Sequence, residues 1–494
     1  MTPDLGDEPT REISFALVDA DFFFSDLPAL ARSLRRRKLS SLELTRGFLD
    51  RLEALGPGYN ALAELTRDLA EREARRADRE LARGIDRSPL HGIPYGAKDL
   101  LDTAGIPTRW GAPPYRDRVP TGDATTIRKL RDAGAILIGK LAMVELAGGG
   151  GYRFPSASLH GAGLNPWDGA RWSGGSSSGS GSAVAAGLVP YALGSETWGS
   201  ITTPSAYCGI SGLRPTLGVV SRAGAMPLAW SMDKIGPMAR TARDCATILR
   251  AISGVDNADA TTVPWTYRPP RRRHLTVGVL PEDFTGLPEV ALVFDDALRS
   301  LRQAGMRTEK VALPSHDFGA TARAILSAEQ AAVHEDFIKS DRLDELVDEG
   351  QKEGLRASLQ QPNVEYVRAM ERRVAITRDL RALFRDVDAL VGPTLIVEAP
   401  TLDTDLQQIR RGIGPSVFGA LAGLPAISIP MGFGASGMPL GLSITGDVFA
   451  EGTVVAIASA YQDETDWHDR RPPARVPESS TSETGKRPGS RGSR

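Results

Sequence analysis

The sequence is poor in the residues that most often announce a function. Only two cysteines, Cys208 and Cys245, occur among 494 residues. That is too few for a disulfide framework, and a reduced cytoplasmic protein is the simplest reading. The six histidines (His91, His160, His274, His316, His334 and His468) are scattered, and none has the spacing of a metal ligand pair. No metal and no cofactor are expected. An excess of charge of either sign is also missing: Lys and Arg total 59 against 61 Asp and Glu, so nothing points to nucleic acid or an anionic membrane. The short runs Arg35-Arg36-Arg37-Lys38 and Arg271-Arg272-Arg273 read as a solvated helix end and a loop. No apolar run has the length of a membrane span. Phe22-Phe23-Phe24 is short and follows Asp19 and Asp21. The N-terminus lacks the basic region and apolar core of a signal peptide.

What the chain has in quantity is small residues in one place. SGGSSSGSGSAVAAGLVPYALGSETWGS runs from Ser173 to Ser200. By composition GGSSSGSGS is a flexible linker. Its flanks argue otherwise, because Ala183-Val184-Ala185-Ala186 suits a tightly buried helix and Gly194 to Gly199 forms a second glycine turn. Hydroxyl-rich turns at a helix start suit acyl transfer. Backbone N–H groups there can stabilise an oxyanion, and glycines let the backbone come close to the reacting carbon.

The remaining chain reads as alternating strands and helices, an α/β class. Ser40 and Glu43 form a capping box before a helix, and a second helix is expected from Ala61 to Arg83, stopped by Gly84. Gly92–Gly96 reads as a turn and short strand that delivers Lys98. A helix follows near Thr126–Ala133, with a strand at Ala135–Ile138. Leu275–Leu280, Glu289–Ala304 and Thr308–Leu313 form a βαβ unit. Residues 315–390 read as mostly helical. Ala426–Pro430 and Leu440–Thr445 form a hairpin, and a last helix covers Glu451–Gln462. Residues 1–25 read as an arm. From His468 the composition is that of a disordered tail, and removing residues 470–494 is expected to leave stability and turnover unchanged.

The order GGSS, small apolar residues, then G-S-E-T-W-G-S-I-T-T-P-S-A-Y-C-G-I-S-G-L-R-P-T, from Gly174 to Thr216, resembles the signature of the amidase signature family. The resemblance extends upstream to Leu90-His91-Gly92-Ile93-Pro94-Tyr95-Gly96-Ala97-Lys98-Asp99. Downstream it reaches Ser231–Pro237, Pro393-Thr394 and Leu421–Pro425. Length alone suggests about three domains. The resemblance implies one catalytic domain over 26–467, with one large mixed β-sheet covered by helices on both sides. It also implies an amidohydrolase that cleaves a carboxamide, ester or carbamate through an acyl-enzyme. Its lysine base acts through a serine in a cis peptide on a nucleophilic serine. By position these are Lys98, Ser176 and Ser200, and the interval between the two serines matches the family spacing. Backbone N–H groups of Thr197, Trp198, Gly199 and Ser200 would line the oxyanion hole.

Elementary chemistry agrees with that assignment. An amide is a poor electrophile, and attack needs an activated hydroxyl, an oxyanion site and a proton donor for nitrogen. With histidines so dispersed, a lysine kept neutral by desolvation is the available base. Ser177, Ser178, Ser180 and Ser182 read as turn and cap residues, His91 as a structural hydrogen-bonding residue and Asp233 as an anchor. Three rival motifs fail on context. Gly175–Gly179 fits G-x-S-x-G without the preceding hydrophobic strand. Ser231–Lys234 fits S-x-x-K in a chain with no K-T-G. Gly134–Lys140 nearly fits a phosphate loop, but its interior is an apolar strand and Leu141 replaces the Ser or Thr.

Two departures from the family pattern matter. Trp198 stands where the family commonly has glycine, and an indole there is strained if the backbone needs positive φ. Thr202 stands where an arginine could pair with the acid at 196. The alternative reading is the glutaminase component of a tRNA-dependent amidotransferase, its A subunit, which works with B and C subunits. Such components usually place an aspartate and an asparagine where this chain has Ile413 and Ala420. The substrate ammonium then has no anchor, while Arg410 or Arg411 is available to a carboxylate. A stand-alone enzyme acting on a small-molecule amide is therefore expected, with a homodimer left open. A silent binding protein of the same fold is disfavoured by the joint presence of Lys98, Ser176 and Ser200.

Overall fold

In a computed structural model of the chain, residues 20–271, 274–280, 287–409 and 415–473 are described. They form one mixed sheet of 11 strands. In chain order these are β1 (Leu62–Leu65), β2 (Pro94–Lys98), β3 (Ile136–Leu141), β4 (Tyr191–Glu196), β5 (Ser211–Arg214), β6 (Lys234–Ala239), β7 (Thr276–Val279), β8 (Arg307–Lys310), β9 (Ala389–Pro393), β10 (Ala426–Phe433) and β11 (Pro439–Gly446). Their spatial order is β1-β3-β2-β4-β6-β5-β10-β11-β9-β7-β8. Every residue of β2, β3, β5, β6, β9 and β11 is buried, whereas the edge strands β1 and β8 are not. A strand buried at successive positions has both faces covered, so helices close the sheet on both sides.

Chain direction decides where the chemistry can sit. β2 runs parallel to β4, with Ala97 opposite Leu193. Their C-terminal ends, Lys98 and Glu196, therefore emerge at the same edge of the sheet. The crevice beyond the carboxyl ends of parallel strands is the usual ligand position in α/β sheets.

Most expected elements are present. Ser40 and Glu43 make the reciprocal capping box, β7 and β8 are parallel around the helix Pro288–Gln303, and β10 and β11 form the hairpin. The expected helix from Ala61 divides. Leu62–Leu65 pairs with β3 instead, and Thr66 hydrogen-bonds the Ile138 and Leu137 carbonyls before the helix Arg67–Ala82 begins. Cross-sheet pairing overrides the helical propensity of LAEL. Among the described residues no helix is long and apolar enough to cross a membrane.

Packing also reaches beyond the expected domain limits. Phe23 is buried and meets the Phe48 ring edge-on at 5.1 Å between centroids. Phe24 is faced by the guanidinium groups of Arg51, Arg240 and Arg471 at 5.9, 5.1 and 4.8 Å. Arg240 donates to the carbonyls of His468 and Arg470, and Arg471 pairs with Asp21. Residues 21–24 and 468–471 thus meet on one aromatic patch, with cation–π contacts worth about 0.5–2 kcal/mol each. A chain ended after Trp467 should melt a few degrees below one ended after Pro473, as read by calorimetry. Equal melting temperatures would show that this clasp contributes nothing.

Candidate active site

The Ser173–Ser200 stretch is a core element. Ser178–Ala185 is a short helix, buried at every position. Its glycines are there for close approach: a Cβ on Gly179 would lie 2.5 Å from the Ala61 carbonyl oxygen. The serines expected as caps reach across to other elements instead. Ser180 donates to Leu193 O at 3.2 Å, Ser182 to Leu164 O at 2.7 Å and Ser177 to Ser195 O at 3.3 Å. No serine side chain caps this helix. In so crowded an interior each buried hydroxyl must find an acceptor, and these three find backbone carbonyls of other segments.

Lys98 closes β2 and is fully buried. Its Nζ donates to Ser176 Oγ at 2.7 Å and to Ser195 Oγ at 3.0 Å. The peptide bond between Gly175 and Ser176 is cis. Burial pushes the amine down to about 7, against the opposing pull of Asp233 and Glu196. Ser200 lies close by in space: the Ser177 N–H donates to Ser200 O at 3.3 Å. Lys98, Ser176 and Ser200, chosen from the sequence, are therefore gathered at the ends of β2 and β4.

The nearby carboxylates that could neutralise an ammonium are held elsewhere. Glu196 Oε1 pairs with Arg214 at 2.6 Å, both groups fully buried. Its Oε2 accepts from Ile201 N, Thr202 N and Thr202 Oγ1 at 2.9, 2.9 and 3.1 Å. Arg214 supplies the cation that position 202 lacks, and it holds the Glu196 carboxyl below its usual range despite burial. Asp233 accepts from Thr197 Oγ1 at 2.5 Å and from Leu228 N and Ala229 N at 2.8 and 2.9 Å. It anchors the loop, as the sequence led us to expect. Trp198 is not strained: within Thr197–Ser200 the positive φ belongs to Gly199, at 89°. The indole is half-buried against a second apolar cluster that includes Phe318 and Phe418. The N–H groups of Trp198, Gly199 and Ser200 enter no hydrogen bond among the described residues.

Two residues of this arrangement were not singled out from sequence. Arg214 sits in the quoted G-L-R-P-T segment, but a pairing across 18 positions has no local signal. Ser195 is one hydroxyl among many; only the β2–β4 register shows that it faces Lys98. Of the residues weighed for glutamine recognition, Ala420 is fully buried and its carbonyl accepts from Lys234 Nζ at 3.1 Å. Ile413, Arg410 and Arg411 lie outside the described residues.

The fold and this edge of the sheet define an amide-hydrolase architecture. The native peptide amidase of Stenotrophomonas maltophilia superposes with a TM-score of 0.81 at 31% identity, covering 92% of this chain and 99% of that one. The chain belongs to the amidase signature family: the Amidase family profile matches residues 43–455. It is 35% identical to the A subunit of the glutamyl-tRNA(Gln) amidotransferase from Methylococcus capsulatus, over 90% of this chain and 98% of that relative. A Mycobacterium tuberculosis protein bearing the name amidase AmiD is 38% identical over 91% of this chain and 96% of its own length. The chain is thus a hydrolase of carbon–nitrogen bonds in amides.

Removing one partner of a buried ion pair strands the other charge. Arg214→Leu should therefore destabilise the fold by about 3–5 kcal/mol in urea unfolding. A loss below roughly 1 kcal/mol would mean that the Thr202 and backbone donors alone hold Glu196.

Proposed function

We propose that the chain is a stand-alone amidohydrolase in which Ser200 is the nucleophile, Ser176 the relay and Lys98 the base. The observation that carries this reading is the amine of Lys98, buried, hydrogen-bonded among the described residues only to serine groups, and lowered by burial to about 7. Neutral Lys98 takes the Ser176 proton while Ser176 takes that of Ser200, and Ser200 Oγ attacks the amide carbon. The carbonyl π electrons move to oxygen, which the free N–H groups of the Trp198–Ser200 turn can bind. Collapse of the tetrahedral adduct breaks the C–N bond, and the proton held on Lys98 returns through Ser176 to the leaving nitrogen. Water then repeats the sequence on the acyl-enzyme, releasing the acid and restoring Ser200.

The substrate proposed is an uncharged, aryl-bearing amide. Trp198 and the apolar cluster behind it, which includes Phe318 and Phe418, offer apolar contact beside the reacting carbonyl. Ala420 brings no polar side chain to meet an α-ammonium, and an unpaired buried charge costs about 3–5 kcal/mol. The similarity to the A subunits of amidotransferases supports a second reading, a glutaminase that needs partner subunits.

Ser200→Ala should lower kcat by about 10⁴-fold or more and abolish labelling by a fluorophosphonate. A label on Ser176 with Ser200 unmodified would overturn the assignment. Because the neutral amine is the base, kcat/KM should fall with unit slope as pH drops below about 7, and Lys98→Arg should stay inactive, since guanidinium holds its proton. Full activity in Lys98→Arg would identify another base.

Release of acid and ammonia from benzamide and from glutamine, at matched concentrations, separates the two substrate readings. Faster cleavage of benzamide by the isolated chain is expected. Glutamine as the better substrate, or turnover only with added partner subunits and charged tRNA, would establish the second reading.

A further inference from the structure

The cavity of about 280 Å³ that reaches Ser195, Thr197 and Ala147 adjoins the Ser200 site. A feature with no part in that chemistry lies on the helix Asn363–Leu383, 21 residues long. One face of this helix is spent on the core, where Ala369, Ile376 and Leu380 are buried. The opposite face is apolar as well: Val364, Val367 and Val374 are 51, 54 and 72% exposed.

Valine is a modest helix former, so the helix gains nothing by holding three of them in water. Their spacing is regular. Val364, Val367, Glu371, Val374 and Arg378 recur at intervals of three and four, the seam along which two helices pack. Apolar residues exposed singly are ordinary, whereas a row of them along one helix marks a docking face. Ala375 and Ala382, both half-buried, border the row with small side chains that admit close approach. A groove of about 820 Å³ continues the apolar surface beside it through Met370, Ala382 and Phe384, between Arg381 and Arg385.

The charges on this face are self-complementary. On the flanks Arg368 and Arg372 face Glu365, and Arg381 pairs with Asp447, so those charges are answered within the chain. Inside the row Glu371 is exposed, and its side chain has no partner among the described residues. Arg378, 75% exposed, spends Nε on Asp379 and has two further nitrogens to offer. Glu371 stands about one turn before Val374 and Arg378 about one turn after it. A two-fold axis beside Val374 therefore brings Glu371 of each copy opposite Arg378 of the other, and Val367 opposite Ala382. Parallel pairing would set Glu371 against Glu371.

We propose that this face is the contact between two copies of the chain, an antiparallel pairing of the helix Asn363–Leu383 about a two-fold axis beside Val374. Burial of the valines supplies the attraction. The two Glu371–Arg378 pairs fix the alignment, since exposed ion pairs add specificity more than affinity. The contact does not depend on the chemistry proposed at Ser200.

Sedimentation velocity of the full chain across the micromolar range tests the pairing. The wild-type chain should pass from monomer to dimer. Val374→Arg, which sets like charges face to face on the axis, should raise the dissociation constant about 100-fold or more. Val374→Ser, a milder change at the same exposed position, should raise it about tenfold. Glu371→Arg and Arg378→Glu should each be monomeric where the wild type is dimeric. An equimolar mixture of those two should dimerise again, because each offers the charge that the other lacks. A wild-type chain that stays monomeric, a dimer indifferent to Val374→Arg, or a mixture that does not recover would overturn the pairing. Co-sedimentation of a monomeric wild type with vesicles of phosphatidylcholine and phosphatidylserine would assign the face to a lipid surface instead. Melting temperatures matching the wild type's, measured at dilutions where it is monomeric, show that each variant is folded.

Discussion

The constraint on which the site depends is the burial of one amine without a carboxylate beside it. An ammonium in a low-dielectric interior is costly, so the Lys98 side chain loses its proton more readily than in water. Had Glu196 or Asp233 approached Nζ directly, pairing would have kept the charge. Each is instead saturated by other donors: Glu196 by Arg214 and the Ile201–Thr202 turn, Asp233 by Thr197 and two N–H groups. What remains within reach of Lys98 is two serine side chains and a carbonyl. The sign of the stability effect follows. Between about 7 and 10.5 the unfolded chain holds a proton that the folded chain does not, so stability from this group rises with pH across that window and the full penalty stands below it.

The same carboxylates shape the loop that carries Ser200. Glu196 binds the first N–H groups of the helix Thr202–Cys208 while closing β4. Asp233, just before β6, ties Thr197 from the other side. Between these two anchors only Gly199 takes a positive φ, which leaves Trp198 free to carry a large side chain. A tryptophan at a position that is commonly glycine in the family is thus accommodated by the residue after it. The indole then contributes contact area rather than strain, against apolar residues that include Phe418.

The local parts of this arrangement were legible in the sequence. Caps, turns and the βαβ unit depend on residues a few positions apart, and the Ser40–Glu43 cap or the hairpin of Ala426–Pro430 and Leu440–Thr445 declare themselves. Lys98, Ser176 and Ser200 were legible only because their surroundings resemble a known family; spacing alone would have left a linker and a surface lysine. What the sequence concealed is long-range pairing. LAEL reads as helix until β3 is beside it, Arg214 meets Glu196 only after β4, β6 and β5 assemble, and Ser195 faces Lys98 only through the β2–β4 register. The same holds for Phe24 and Arg471, where a polar tail composition hid the arginine and an isolated aromatic run hid its partner.

The left-handed residues flanking the site show how strain is kept in place. Trp110, Leu146 and Ala147, at φ 55°, 46° and 56°, each cost of order 1 kcal/mol or more, and nothing in their own side chains favours the conformation. Hydrogen bonds to fixed neighbours do. Trp110 N donates to Asp99 O, Leu146 N to Trp110 O and Ala147 N to Val144 O. The preceding Glu145 is fully buried, and its carboxylate accepts from Val347 N and Asp348 N. Burial raises this carboxyl to about 7 against those two donors, so the clamp is built on a group that ionises less readily than in water. Asp348 in turn accepts from Arg153 N and Phe154 N, past the glycines that end the strained segment. The helical region 315–390, least constrained by the family pattern, therefore fixes the wall of the cavity beside Ser195 and Thr197. The residues that hold this wall are separate from those proposed to break the bond.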